Sequence, residues 1–203
     1  MSSDTHADSK FHIHHDAPAV VGRRERLGVR LLIVADGAFV AGMIFSYFYL
    51  RGLNANGAWV PKDGHTLSAA SGWIVAAPLI VAAIVHKLGN RAKGSLHAIV
   101  VLVTLLIGAY LQWHQLAHMP FIAKDDGGRR FFEGGYASNW VILGGANMFH
   151  YILGAFIALG LVIRKRRAHV DPTLEYWRQL TAGSWFTWIA VSSILCAITT
   201  GII

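Results

Sequence analysis

Between Arg26 and Tyr49 the sequence reads RLGVRLLIVADGAFVAGMIFSYFY. The stretch is apolar enough and long enough to cross a bilayer. About 20 residues at 1.5 Å per residue span a hydrocarbon core of roughly 30 Å. A segment in lipid has to satisfy its own backbone, so a helix is the form it takes. The same stretch holds an acid, Asp36, about a third of the way along, and Arg30 near its start. A carboxyl at that depth is costly and is normally kept for a reason.

Four further apolar runs follow. The expected helices are 27–50, 67–86, 97–118, 139–163 and 178–203. Pro78 sits in the middle of the second and should kink it; neighbouring helices can satisfy the carbonyl it frees. No run shows the ten-residue alternation of a membrane barrel. The fold class is therefore an all-α, polytopic bundle of five transmembrane helices, a single domain over residues 23–203. Composition agrees, with 54% hydrophobic and only 14% charged residues. A soluble domain carries nearer a quarter charged residues.

The net charge of +7 does not point to nucleic acid, because the basic residues sit at the ends of the apolar runs. There they read as topology signals and headgroup contacts. With the N-terminus inside, thirteen Lys and Arg fall on the inner side and five on the outer. That bias predicts N-in, C-out. Residues 1–22 read as a solvated, poorly ordered arm in which His12, His14 and His15 are tail residues. The arm reads as neither a secretory signal nor a mitochondrial presequence. The one cysteine, Cys196, excludes a disulfide within the chain, and no Cys/His zinc spacing occurs.

Few residues could carry chemistry. Asp36 is either a proton-handling carboxyl or a structural acid paired across helices. Arg30 is six residues away and on a different face, so it is not an obvious partner. His150 lies midway along the fourth run and reads as a hydrogen-bonded packing residue. His114 and His118 share a helix face, a spacing that can hold a metal, but they sit in an interfacial polar cluster with Gln112, Trp113 and Gln115. The seven tryptophans read as the aromatic belt. The small residues Gly37, Ala38, Ala41, Gly42, Gly72, Gly144, Gly145, Gly154 and Gly160 allow close helix approach.

In order, these residues resemble subunit III of the haem-copper oxidases, in its short five-helix form. The first helix matches at Arg26, Gly28, Asp36, Phe39, Gly42, Tyr47 and Phe48. The following loop matches a Gly-x-Trp-x-Pro pattern at Gly57, Trp59 and Pro61, with His65 beyond. The fourth helix matches at Gly145, His150 and Gly154, and Arg164 stands ten residues further on. The chain departs from the family at Asp36, where Glu is usual, and at Asn147, where the family has His. Arg178 and Thr181 replace a His and an Asp near the last helix.

The resemblance implies a non-catalytic accessory subunit of a cytochrome c or quinol oxidase. Such a subunit packs against subunit I beside subunit II and smaller subunits, and supports stability and proton uptake during oxygen reduction. It implies no cofactor on this chain, haem and copper in partner subunits, and structural phospholipids. It makes Asp36 the buried acid near proton uptake and Arg164 a lipid-headgroup ligand. Arg26, Arg30 and His150 become structural polar residues. A prokaryotic plasma membrane is the expected location. Other classes stay open: an accessory subunit of a nitric oxide reductase, a transporter using Thr104, Gln112, Thr187, Ser192, Ser193 and Thr199, or a metalloenzyme using His114, His118 and His150.

Overall fold

The computed structural model describes residues 16–61, 66–90, 95–120, 122–124, 130–132, 134–166 and 171–202. His12, His14, His15 and His65 lie outside them. Five helices are long and apolar enough to cross a membrane: α1 Pro18–Leu53, α2 Ala69–Gly89, α3 Leu96–Ala117, α4 Gly134–Lys165 and α5 Pro172–Gly201. Two short strands, β1 Ile122–Lys124 and β2 Arg130–Phe132, pair antiparallel between α3 and α4, in a stretch expected to be loop. Three residues per strand carry too little patterning to separate them from a turn.

α1, α4 and α5 start earlier than hydropathy indicates because their first turns are not strongly apolar, whereas α2 starts at Ala69, two residues later than expected. α1 starts at Pro18 rather than residue 27, with Pro at the first helical position, where its missing N–H costs nothing. Its 36 residues run to roughly 54 Å, so the turns bearing Arg23, Arg24 and Arg26 extend past the hydrocarbon core. α5 starts at Pro172 rather than 178. Asp171 caps it, accepting from Thr173 N at 2.8 Å and Leu174 N at 3.0 Å. α4 starts at Gly134 because the loop after α1 satisfies its first donors. Gly135 N donates to Ala58 O at 2.9 Å, and Tyr136 N to Trp59 O at 2.8 Å. Gly134 has φ +87°, and a Cβ there would lie 2.9 Å from Trp59 O. Both facts require glycine.

The helices pack in the ring order α1, α5, α2, α3, α4 and back to α1, with α5 also touching α4 across it. The starts of α1, α3 and α5 and the ends of α2 and α4 share one end. This basic end carries Arg23, Arg24, Arg26, Lys87, Arg164, Lys165 and Arg178. One core cluster, around Leu79, Leu105, Tyr151, Phe186 and Ile189, joins α2 to α5. A second, around Tyr47, Trp59, Tyr136 and Trp140, closes the opposite end. There Tyr47 meets Trp59 edge to face at 4.9 Å and donates to Ile202 O at 2.8 Å. α2 runs as a single helix through Pro78. The Tyr151 hydroxyl donates to Val75 O, one residue beyond the carbonyl that Pro78 leaves without its helical donor.

α1 lies on the outside. Leu27, Leu31, Val34, Phe39 and Phe45 point away from the bundle. Its inward seam repeats every four then three residues: Gly22, Arg26, Val29, Ile33, Asp36, Val40, Met43, Tyr47. Gly22, Val40, Met43 and Tyr47 are buried, and Val29 and Ile33 pack on the first core cluster. This is the period of a helix buried along one narrow stripe. Asp36 occupies a core position on it.

Candidate functional site

The seam aims Asp36 between α4 and α5. Its Oδ2 accepts from His150 Nε2 at 2.9 Å and from Trp188 Nε1 at 2.6 Å. One oxygen therefore ties three helices. His150 is 1% exposed and Asp36 10%. Gly37, next to Asp36, brings α1 close enough that a Cβ there would touch the Trp188 ring at 3.4 Å. Trp185 packs edge-on against the His150 ring at 6.1 Å. With Nε2 donating to Asp36, His150 Nδ1 is the acceptor nitrogen, and it meets no donor among the described residues. A carboxyl and an imidazole in this contact can hold one proton on either partner.

Asp36 and His150, taken singly in the sequence, thus form one unit. Trp188 was not expected in it, since tryptophans were read as belt residues. Its place was legible: it lies sixteen residues beyond Pro172 in a 30-residue helix, far from either end. Arg30 points outward, and Arg26 lies over the Trp177 ring at 5.9 Å. Arg178 is paired with Glu25 at 3.6 Å. Gly22 makes room for Trp177, because a Cβ there would come within 2.3 Å of the ring.

Arg164 lies at the basic end, on a cleft of about 450 Å³ between α1, α4 and α5. Arg178 and Glu25 share its polar rim, and Leu32, Phe156 and Ile157 form its apolar walls. Gly28 and Gly160 also line it, and a Cβ on either would meet nothing within 4 Å.

His114 and His118 stack at 4.2 Å on the outer surface of α3, and His118 Nδ1 bonds His114 O at 2.8 Å. His150 is engaged elsewhere, so the three do not converge. Among the described residues no three His, Cys, Asp or Glu side chains come together as a metal-ligand set. Nor do the transporter candidates form one polar face. Thr104, Thr187 and Thr199 each donate to a carbonyl four residues back in their own helix.

A second polar cluster lies at the basic end. His86, at the end of α2, bonds the Gln179 carbonyl of α5 at 3.1 Å and lies 5.9 Å from the His97 ring of α3. Gln179 in turn donates to Glu175 at 2.6 Å. Both histidines are buried.

No protein-family model matches the chain. It is similar to cytochrome c oxidase subunit 3 of Papio hamadryas, 26% identical over 192 residues. The match covers 88% of this chain and 69% of the baboon protein. Five apolar helices make this chain a multi-pass membrane protein. The similarity supports a distant relationship with that oxidase subunit.

Proposed function

We propose that this chain is a non-catalytic, subunit III-like accessory subunit of a respiratory haem-copper oxidase in a prokaryotic plasma membrane. The observation that carries the proposal is the similarity along 88% of the chain to an oxidase subunit. The haem and copper of the complex lie in partner subunits. In support, His150 and His86 are each engaged within this bundle, the one by Asp36 and the other by the Gln179 carbonyl. The charge bias of the loops supports an inner position for the basic end. Docking against a larger subunit is supported by α1, which leaves Ala38, Phe39 and Gly42 on a groove of about 280 Å³. Gly145 of α4 likewise has nothing within 4 Å of a Cβ. In this role the Asp36–His150 pair supports proton delivery to the catalytic subunit.

The cleft beside Arg164 holds a phospholipid. Its headgroup phosphate meets Arg164, and its chains lie along Leu32, Phe156 and Ile157. No acid pairs with Arg164 among the described residues, whereas Glu25 already engages Arg178. Arg164→Gln is expected to lower the phospholipid retained through detergent purification about fivefold, since one cation near a headgroup contributes about 1 kcal/mol. Phosphorus analysis of the purified protein checks this, and unchanged retention removes Arg164 from the site.

The proposal is tested by purification in mild detergent with a visible spectrum. The chain is expected to travel with a haem-containing subunit that reduces oxygen. A partner that reduces nitric oxide instead would give the reductase role. A chain that purifies alone, free of haem, would overturn both and favour a transporter.

A further inference from the structure

A cavity of about 20 Å³ lies between α2, α3, α4 and α5, in the half of the bundle away from the basic end. Gly72, Gln112, Gly144, Asn147, Cys196 and Thr200 are on its wall. Gln112 is fully buried and Asn147 is 4% exposed. Gln112 Nε2 donates to Gln115 Oε1 at 3.1 Å, and Asn147 Nδ2 to Ser193 Oγ at 3.4 Å. Their carbonyl oxygens, Gln112 Oε1 and Asn147 Oδ1, accept from no group of the protein among the described residues. Two buried amide side chains from facing helices, each with an oxygen that lacks a donor, therefore line one small space.

We infer that this space binds a single water molecule that donates to Gln112 Oε1 and Asn147 Oδ1 and joins α3 to α4. The volume fits, since a water needs about 10–15 Å³ measured this way. Two amide acceptors take both of the water's hydrogens and give the minimum number of partners. Turning the Asn147 amide over puts Nδ2 in the same place, and water serves a donor as well as an acceptor. A cation has no such flexibility, and no acid lies on the wall to balance its charge. The glycines make the site. A Cβ on Gly144 would lie 3.1 Å from Gln112 Nε2, and one on Gly72 would lie 3.0 Å from Thr200 Oγ1. The water completes a file across the bundle. Ser71 O accepts from Gln115 at 3.0 Å, Gln115 from Gln112, and the water links Gln112 to Asn147 and Ser193. Asn147 is one turn from His150, so the file ends beside the Asp36 unit. The inference stands apart from the oxidase role, because it uses only this chain's packing.

The test has two arms on the full-length chain in its native assembly. A density map fine enough to show waters is expected to hold a peak within hydrogen-bond distance of both amide oxygens. A map without that peak overturns the inference. In the second arm, Gln112→Met and Asn147→Leu are made singly and together, and the unfolding equilibrium is measured in detergent. Each single change is expected to lower the folding constant about tenfold, because the other amide loses its donor. The double variant is expected to lose about tenfold less than the product of the two, since the same water is removed twice. Losses that multiply, or a Gln112→Met chain as stable as the native one, overturn it. The map decides if a variant fails to fold.

Discussion

Asp36→Leu is expected to destabilise the bundle by about 3 kcal/mol, while Asp36→Asn costs less than about 1 kcal/mol. The difference follows from how the carboxyl is used. Both donors, His150 Nε2 and Trp188 Nε1, meet the same oxygen. An asparagine with its carbonyl there keeps both bonds. A leucine fills the space and leaves two buried N–H groups without an acceptor, at roughly 1–3 kcal/mol each. Hydrogen bonds between membrane helices average below this range, which makes a burial-driven loss of this size a demanding expectation. Unfolding of the two variants in detergent checks it, and equal stabilities would show that His150 and Trp188 find other acceptors.

The same pair of variants separates structure from proton chemistry. Asparagine keeps the geometry but cannot take up or release a proton as a carboxyl does. If the proton role in the proposed function is right, an assembly carrying Asp36→Asn forms normally and differs from the native one in sustained turnover. Unchanged turnover with normal assembly reduces Asp36 to a tie between helices.

How much of this was legible in the chain depends on whether the signal is local. Five helices were, because each must hide its own backbone in lipid and so writes a long apolar run into the sequence. The α1 seam was legible too. Ile33, Asp36, Val40, Met43 and Tyr47 repeat with a period that marks an inward stripe, and this alone puts Asp36 inward and Arg30 outward. The helix starts were partly legible. Asp171-Pro172-Thr173 is a capping sequence, but hydropathy gives no weight to polar first turns. The pairing of Asp36 with His150 was not legible. The two are 114 positions apart, and only the ring order of the helices brings them together. The His86–Gln179 bond, across 93 positions, and the Arg164 cleft are of the same kind. Glycine function divides in the same way. Gly145 and Gly108 look equivalent in the sequence, yet one faces open space and the other faces a ring.

Gly108 carries the largest packing effect expected of any single methyl group in the bundle. A Cβ there would lie 2.1 Å from Tyr151 Cε1 and 2.4 Å from its Cζ. The ring cannot step aside cheaply. It is fully buried, and its hydroxyl is held by the Val75 carbonyl of α2. Gly108→Ala therefore strains α3 against α4 and drives the ring off its acceptor. Overpacking costs about 1–3 kcal/mol, and a lost buried hydrogen bond adds about 1–3 kcal/mol. The expected loss is about 4 kcal/mol, read from unfolding in detergent. Gly145→Ala, with nothing within 4 Å, is the control and is expected to change little. Adding Tyr151→Phe to Gly108→Ala should rescue poorly, because the clash is with the ring carbons. Adding Tyr151→Leu should rescue more, because it removes the ring. A Gly108→Ala chain as stable as its Gly145→Ala control would mean that the Tyr151 ring is free to move, and that α2, α3 and α4 are not locked at this point.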